Sequence, residues 1–165
     1  MKLVLTLTLL AVTMTSIVEA SSSTSGVDRV VIEKARRTLT VYAGAQPVMR
    51  LKVALGQQPV GAKLCRGDNR TPEGSYRVAG RKENSDFHRA LRISYPSDFD
   101  QLRAREAGCD PGGDIMIHGL REDWGRQSAR HREVDWTKGC IAVTNEEIER
   151  LWALLPDGVE VVIRP

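Results

Sequence analysis

Between residues 28 and 55 the chain makes three short β-type runs, DRVVIEKA, TLTVYA and PVMRLKVALG, broken only by Arg36-Arg37 and by Ala43-Gly44-Ala45. Runs this short with joints this tight must double back on one another, so the segment reads as an antiparallel meander. Val48, Leu51, Val53 and Leu55 are its candidate core positions in the third run. The same grammar returns after a Gly- and Pro-rich loop at 56–75, in SYRVAG, LRISYP, DIMIHG, GCIAVT and VEVVIRP. The chain is therefore expected to be mostly β.

Two helices interrupt this pattern. Pro96 ends one strand, and Ser97 or Asp98 caps a short helix through Ala107, stopped by Gly108. Thr144 with Glu147 makes a capping box, and Ile148, Leu151, Trp152 and Leu155 follow at helical spacing. The polar stretch RKENSDFHRA, from Arg81 to Ala90, precedes the strand LRISYP, and its His88 reads as a surface residue and not a ligand. Arg-Gly-Asp at 66–68 is too short a string to support an adhesion reading.

The first twenty residues, MKLVLTLTLLAVTMTSIVEA, place a lysine before a threonine-broken apolar core and end on small residues. That is the pattern of a cleaved secretory signal over residues 1–20; its apolar core is short for an uncleaved membrane anchor. Residues 21–27 are expected to be a flexible leader and residues 28–165 one domain, with no transmembrane span after cleavage. The expected location is the periplasm or cell envelope. Net charge is +3 at pH 7, with both signs interspersed. This is no nucleic-acid footprint, although an anionic polymer such as a cell wall is compatible with it.

Three cysteines in an exported chain leave one over. Cys65 (KLCRGDN) and Cys109 (AGCDPGG) sit in loop-like surroundings and are paired in this reading; Cys140 is left free. The alternative is three unpaired thiols.

Cys140, between Gly139 and a β-branched run, is the candidate nucleophile, and His118, at the end of DIMIHG, its base. A thiol attacks as thiolate and needs a base or a positive field, which Lys138 can supply. Gly139 and Cys140 offer backbone N–H groups to a developing oxyanion, and Gly119 leaves room beside the imidazole. A zinc site from Cys65, Cys109, Cys140 and His118 has suitable residue types but no close cysteine pair, and it would consume the nucleophile. No metal or cofactor is expected. The loop from 120 to 137 carries Trp124 and Trp136, and its length suggests a lid.

IHG at 117–119 followed by TKGCIAVTNEEI at 137–148 resembles the L,D-transpeptidase catalytic domain, the YkuD-like family. GDNRTPEGSYRV, RISYP and PGGDIMIHG extend the resemblance across roughly residues 28–163. It implies a β-sandwich with short peripheral helices. It also implies an enzyme in which Cys140 accepts the acyl group, His118 is general base and acid, the Gly139–Cys140 backbone forms the oxyanion hole, and Gly119 orients the histidine. Many members carry a second histidine where this chain has Lys138. The implied substrate is a peptidoglycan stem peptide, with Trp124, Trp136, Thr137 and Lys138 as candidate contacts and the protein acting as a monomer. An amine acceptor would give a 3→3 cross-link or attach a wall protein. Water would make a carboxypeptidase or endopeptidase, or release a wall-attached protein. A non-catalytic wall-binding module is the reading from another class.

Overall fold

The three N-terminal runs pair as their alternation requires. Strands β1 (Arg29–Glu33), β2 (Thr38–Ala43) and β3 (Gln46–Lys52) form an antiparallel meander in a computed structural model that describes residues 26–124 and 130–165. The expected signal segment 1–20 and leader residues 21–25 lie outside the described residues. Val27, the last residue assigned to that leader, is only 5% exposed and belongs to the core.

One expected core position is corrected. Val48 is 49% exposed. On the partner strand, Val41 pairs with Met49 while Tyr42 pairs with Pro47, so Val48 is the extra residue of a β-bulge. Met49 packs against the core instead.

The chain's last strand, β8 (Glu160–Arg164), enters the middle of the sheet. It runs parallel to β1, with Val161 opposite Val30, and antiparallel to β4 (Gly74–Ser85), with Val161 opposite Tyr76. β4 bridges two halves of the fold: residues 74–77 pair with β8, and residues from Val78 onward pair with β5 (His88–Ile93). β6 (Met116–His118) follows β5 antiparallel, and β7 (Ile141–Ala142) lies parallel to β6. The order is β3-β2-β1-β8-β4-β5-β6-β7. Beyond β3, Ala54 pairs with Ala142, so the two ends of the sheet meet around one aliphatic core.

The polar stretch from Arg81 to Ala90 forms a hairpin. β4 continues to Ser85, Asp86 and Phe87 make the turn, and β5 starts at His88 with φ +68°. Arg81, Lys82, Glu83 and Asn84 are all exposed, so no apolar alternation marks this part of the strand; ladder pairing alone defines it.

Both helices carry the expected caps. α1 (Asp98–Glu106) starts at Ser97, reciprocally bonded with Asp100, and α2 (Asn145–Leu154) starts at Thr144, reciprocally bonded with Glu147. α2 buries Ile148 and Leu151 and packs against β5 and β6. Cys65 and Cys109 are bridged, tying the loop after β3 to the end of α1. Two of the four donors considered for zinc are thereby removed. Among the described residues, no helix is long and apolar enough to cross a membrane.

Candidate functional site

β6 ends at His118 and β7 begins just after Cys140, and these two strands are neighbours. Their adjacency brings the imidazole and the thiol to the wall of one cavity of about 150 Å³. Lys82, Ser85, Asp86, Phe87, Asp114 and Met116 complete its lining. Residues far apart in the sequence thus meet because β6 and β7 run parallel, which requires a long crossover between them.

His118 is buried, and its Nδ1 lies 2.7 Å from the carbonyl oxygen of Gly119. A carbonyl only accepts, so Nδ1 carries the proton and Nε2 holds the lone pair. Burial pushes the imidazole pKa below its usual 6.5 against the opposing pull of that hydrogen bond. His118 is therefore a neutral base with a fixed tautomer. Gly119 also permits a close approach: a Cβ there would stand 2.6 Å from Asn145 Oδ1 and 3.0 Å from Ile148 Cγ2. Asn145 Oδ1 accepts from the N–H of Leu120 at 2.7 Å, fastening the start of α2 to the strand that carries His118.

Cys140 is the free cysteine. Its Sγ donates to Asp114 O at 3.5 Å. Burial raises its pKa above 9.0; a hydrogen bond from the Met116 backbone opposes that, the Asp114 carboxylate adds to it, and Lys63 opposes it weakly. Buried Lys63 contributes a weak positive field at the thiol, its Nζ held by Cys65 O and Asp68 Oδ1. At rest the pair is neutral thiol and neutral imidazole. Iodoacetamide alkylation of Cys140 should therefore climb about tenfold per pH unit through neutrality and continue past pH 9. A plateau at or below pH 7 would instead mark a preformed thiolate–imidazolium pair.

The turn before Cys140 is braced by Thr137. Thr137 Oγ1 accepts from Gly139 N at 3.1 Å and donates to Cys140 O at 2.7 Å. The Gly139 N–H foreseen as an oxyanion donor is thus already engaged, because a hydroxyl two residues earlier captures it. Thr137, foreseen as a substrate contact, is buried and bonded to this turn. Gly139 has φ +127°, and a Cβ on it would lie 2.6 Å from Arg70 O. Only glycine fits there. Lys138 is exposed.

Aromatic rings cover His118. Phe87 stands 4.6 Å from the imidazole and Trp136 5.7 Å from it, centroid to centroid. Trp124, 40% exposed, rests on Trp136 at 4.9 Å. Trp124 and Trp136 were flagged by their loop, but Phe87 was not, because its flanks are polar and its place at the hairpin tip depends on strand pairing. His131 was also missed. It is 5% exposed, with neither ring nitrogen partnered among the described residues, and burial drives its pKa down to about 4. The tip of the expected lid, residues 125–129, lies outside the described residues.

A profile of the YkuD family, described as the L,D-transpeptidase catalytic domain, matches residues 27–163. Among solved structures, the helical cell shape determining protein Pgp2 from Campylobacter jejuni superposes with a TM-score of 0.66 at 27% identity, over 84% of this chain and 47% of that one. An L,D-transpeptidase from Mycobacterium smegmatis shares the fold, with a TM-score of 0.57 at 11% identity, over 86% of this chain and 59% of that one. YqjB of Bacillus subtilis (strain 168), whose own L,D-transpeptidase label is provisional, is 33% identical over 97 residues, 58% of this chain and 53% of that protein. The chain spans about half the length of the curated relatives it matches.

Proposed function

The chain belongs to the L,D-transpeptidase catalytic-domain family, and on that premise we propose that it is an exported cysteine L,D-transpeptidase acting on peptidoglycan stem peptides through a Cys140 thioester. The observation that carries this reading is the shared cavity of His118 and Cys140, with the imidazole tautomer fixed by Gly119 O.

Cys140 Sγ attacks the carbonyl carbon of the amide between an L-centre and a terminal D-residue, and the thiol proton passes to His118 Nε2. The carbonyl π electrons move to oxygen. When the tetrahedral intermediate collapses, the C–N bond breaks, His118 returns the proton to the departing amine, and a thioester remains. An acceptor amine then attacks the thioester and gives its proton to Nε2. Collapse releases the Cys140 sulfur, which regains that proton, and leaves a new amide. The amine on a neighbouring stem gives a 3→3 cross-link; a protein amine gives wall attachment. The rings of Phe87, Trp136 and Trp124 over the imidazole limit bulk water at the thioester and favour an amine over hydrolysis.

Export rests on the pattern of residues 1–20, and the domain is assigned to 28–165. Intact-mass analysis of the protein with purified disaccharide tetrapeptide tests the reading. An adduct on Cys140 followed by a cross-linked dimer is expected. A hydrolysed tripeptide as sole product would move the assignment to a carboxypeptidase, and the lack of any adduct would overturn it in favour of a binding module.

A further inference from the structure

The Cys65–Cys109 bridge joins two loops, and each of them touches the turn that carries the nucleophile. The first runs from Cys65 to Arg70, whose carbonyl oxygen lies 2.6 Å from where a Cβ on Gly139 would stand. The second runs from Cys109 to Asp114, whose carbonyl oxygen accepts from Cys140 Sγ at 3.5 Å. The turn is thus seated from two sides by segments that the bridge fastens to each other. Arg66 repeats the connection, its N–H donating to Asp110 O at 2.6 Å and its Nε to Asp110 Oδ2 at 2.8 Å.

Asp68 carries the constraint along the first loop. Its Oδ2 accepts from Leu64 N at 2.7 Å and from Cys65 N at 3.1 Å, beside the bridge. Its Oδ1 accepts from Lys63 Nζ at 2.8 Å and from Arg70 N at 3.0 Å. One carboxylate therefore couples a bridged cysteine to the residue beneath Gly139. Asn69 and Asp114 hold left-handed backbone at φ +54° and +55°, a conformation kept where surrounding contacts fix it.

We infer that the Cys65–Cys109 bridge is a positioning element for Cys140, and that its reduction by a dithiol slows thioester formation. This rests on the reading of Cys140 as the stem-peptide nucleophile and adds to it a redox control. Both bridged cysteines are half-buried, so a small dithiol reaches them. Its thiolate attacks one bridge sulfur, which breaks the S–S bond and leaves a mixed disulfide. Its second thiol then displaces the protein sulfur. Cys65 and Cys109 end as thiols, having gained two electrons and two protons, and the reductant ends as a cyclic disulfide. The two loops are then held together by non-covalent contacts alone, and the turn at Gly139–Cys140 loses its fixed seat. A displacement of about 1 Å at a reacting atom costs on the order of a hundredfold in rate. The domain therefore acylates fast only once the bridge has closed, which an oxidising compartment permits and a reducing one prevents.

The test follows acylation of Cys140 by disaccharide tetrapeptide at rising concentration, using intact mass and peptide mapping. The full chain is compared oxidised, reduced with dithiothreitol and desalted, and as the Cys65→Ser/Cys109→Ser variant, each well below its own thermal midpoint. The saturating acylation rate should fall about ten- to a hundredfold in the reduced and serine forms. The half-saturating concentration should stay within about twofold, since the loss is in the chemical step. Reoxidation with oxidised glutathione should restore the rate. Asp68→Asn cuts the relay with the bridge intact, because an amide has one acceptor oxygen and cannot serve both sets of donors. It should lose about tenfold when oxidised and little more on reduction, since both changes sever one link. Equal rates in the oxidised and reduced forms would overturn this inference while leaving the thioester reading intact. So would a loss that only matches the unfolded fraction, or losses from Asp68→Asn and from reduction that multiply. An Asp68→Asn variant acylating at the original rate would overturn it too, whether or not the reduced chain folds. No acylation in any form would overturn the thioester reading itself, and this inference with it.

Discussion

Exchanging Cys140 for alanine should abolish the acyl adduct and lower turnover by roughly 10^4- to 10^6-fold, the scale on which loss of a nucleophile is felt when its partners remain. The fold should survive. The thiol is half-buried, and its Sγ makes one long contact, to Asp114 O at 3.5 Å, so the thermal midpoint should hold to within a few degrees. His118→Gln is the companion variant and should cost about 10^2- to 10^4-fold, the range for a positioned acid–base group. The two losses should not add, because the imidazole acts only on protons that the thiol chemistry creates. Parallel stem-peptide binding measurements separate catalysis from recognition. If Cys140→Ala bound stem peptide and still turned it over at the original rate, the nucleophile would be elsewhere.

What the sequence made legible was local. Caps lie within four residues of chain: the Thr144/Glu147 box closes as expected, and of Ser97 and Asp98 it is Ser97 that caps α1, in a box with Asp100. The β1–β3 meander follows from short runs and tight joints, and the Cys65–Cys109 bridge from two loop-like settings and one odd thiol. What escaped depends on pairing at a distance. Nothing in VEVVIRP marks β8 as a central strand, since both its partners, β1 and β4, are defined elsewhere. The bulge that turns Val48 outward appears only when β3 is laid against β2. The hairpin that carries Phe87, Lys82 and Asp86 to the cavity is polar along its length, so periodicity is silent there.

The candidate site divides along the same line. His118 and Cys140 stand out as residue types between glycines, and the parallel β6–β7 pairing brings them to one cavity. The work of their neighbours was harder to foresee. Thr137 braces the turn before Cys140, and Lys63, hidden in a loop, adds a weak positive field at the thiol. In each case the chemistry of the side chain was visible, and its direction was set by tertiary packing.

Lys34 is the buried residue whose replacement should cost the most stability. Its side chain is 2% exposed, and Nζ donates to Gly61 O at 2.6 Å, Thr71 O at 3.0 Å and Glu73 Oε1 at 2.7 Å. Lys34→Met keeps the aliphatic stem but leaves two carbonyls and a largely buried carboxylate without their donor. Breaking such a pair from one side costs about 3–5 kcal/mol, a fall in thermal midpoint of roughly 6–20 °C for a domain of this size. Chemical denaturation should show the loss as a lower midpoint with an unchanged slope. The double variant Lys34→Met/Glu73→Leu should recover part of it, because the orphaned carboxylate is then gone. The consequence reaches the site, since the segment Lys34 holds at Thr71 includes Arg70, whose carbonyl lies under Gly139. Acylation of Cys140 in the single variant should therefore fall further than the folded fraction alone accounts for. A stability change below about 1 kcal/mol would show instead that water or a shifted backbone replaces all three contacts.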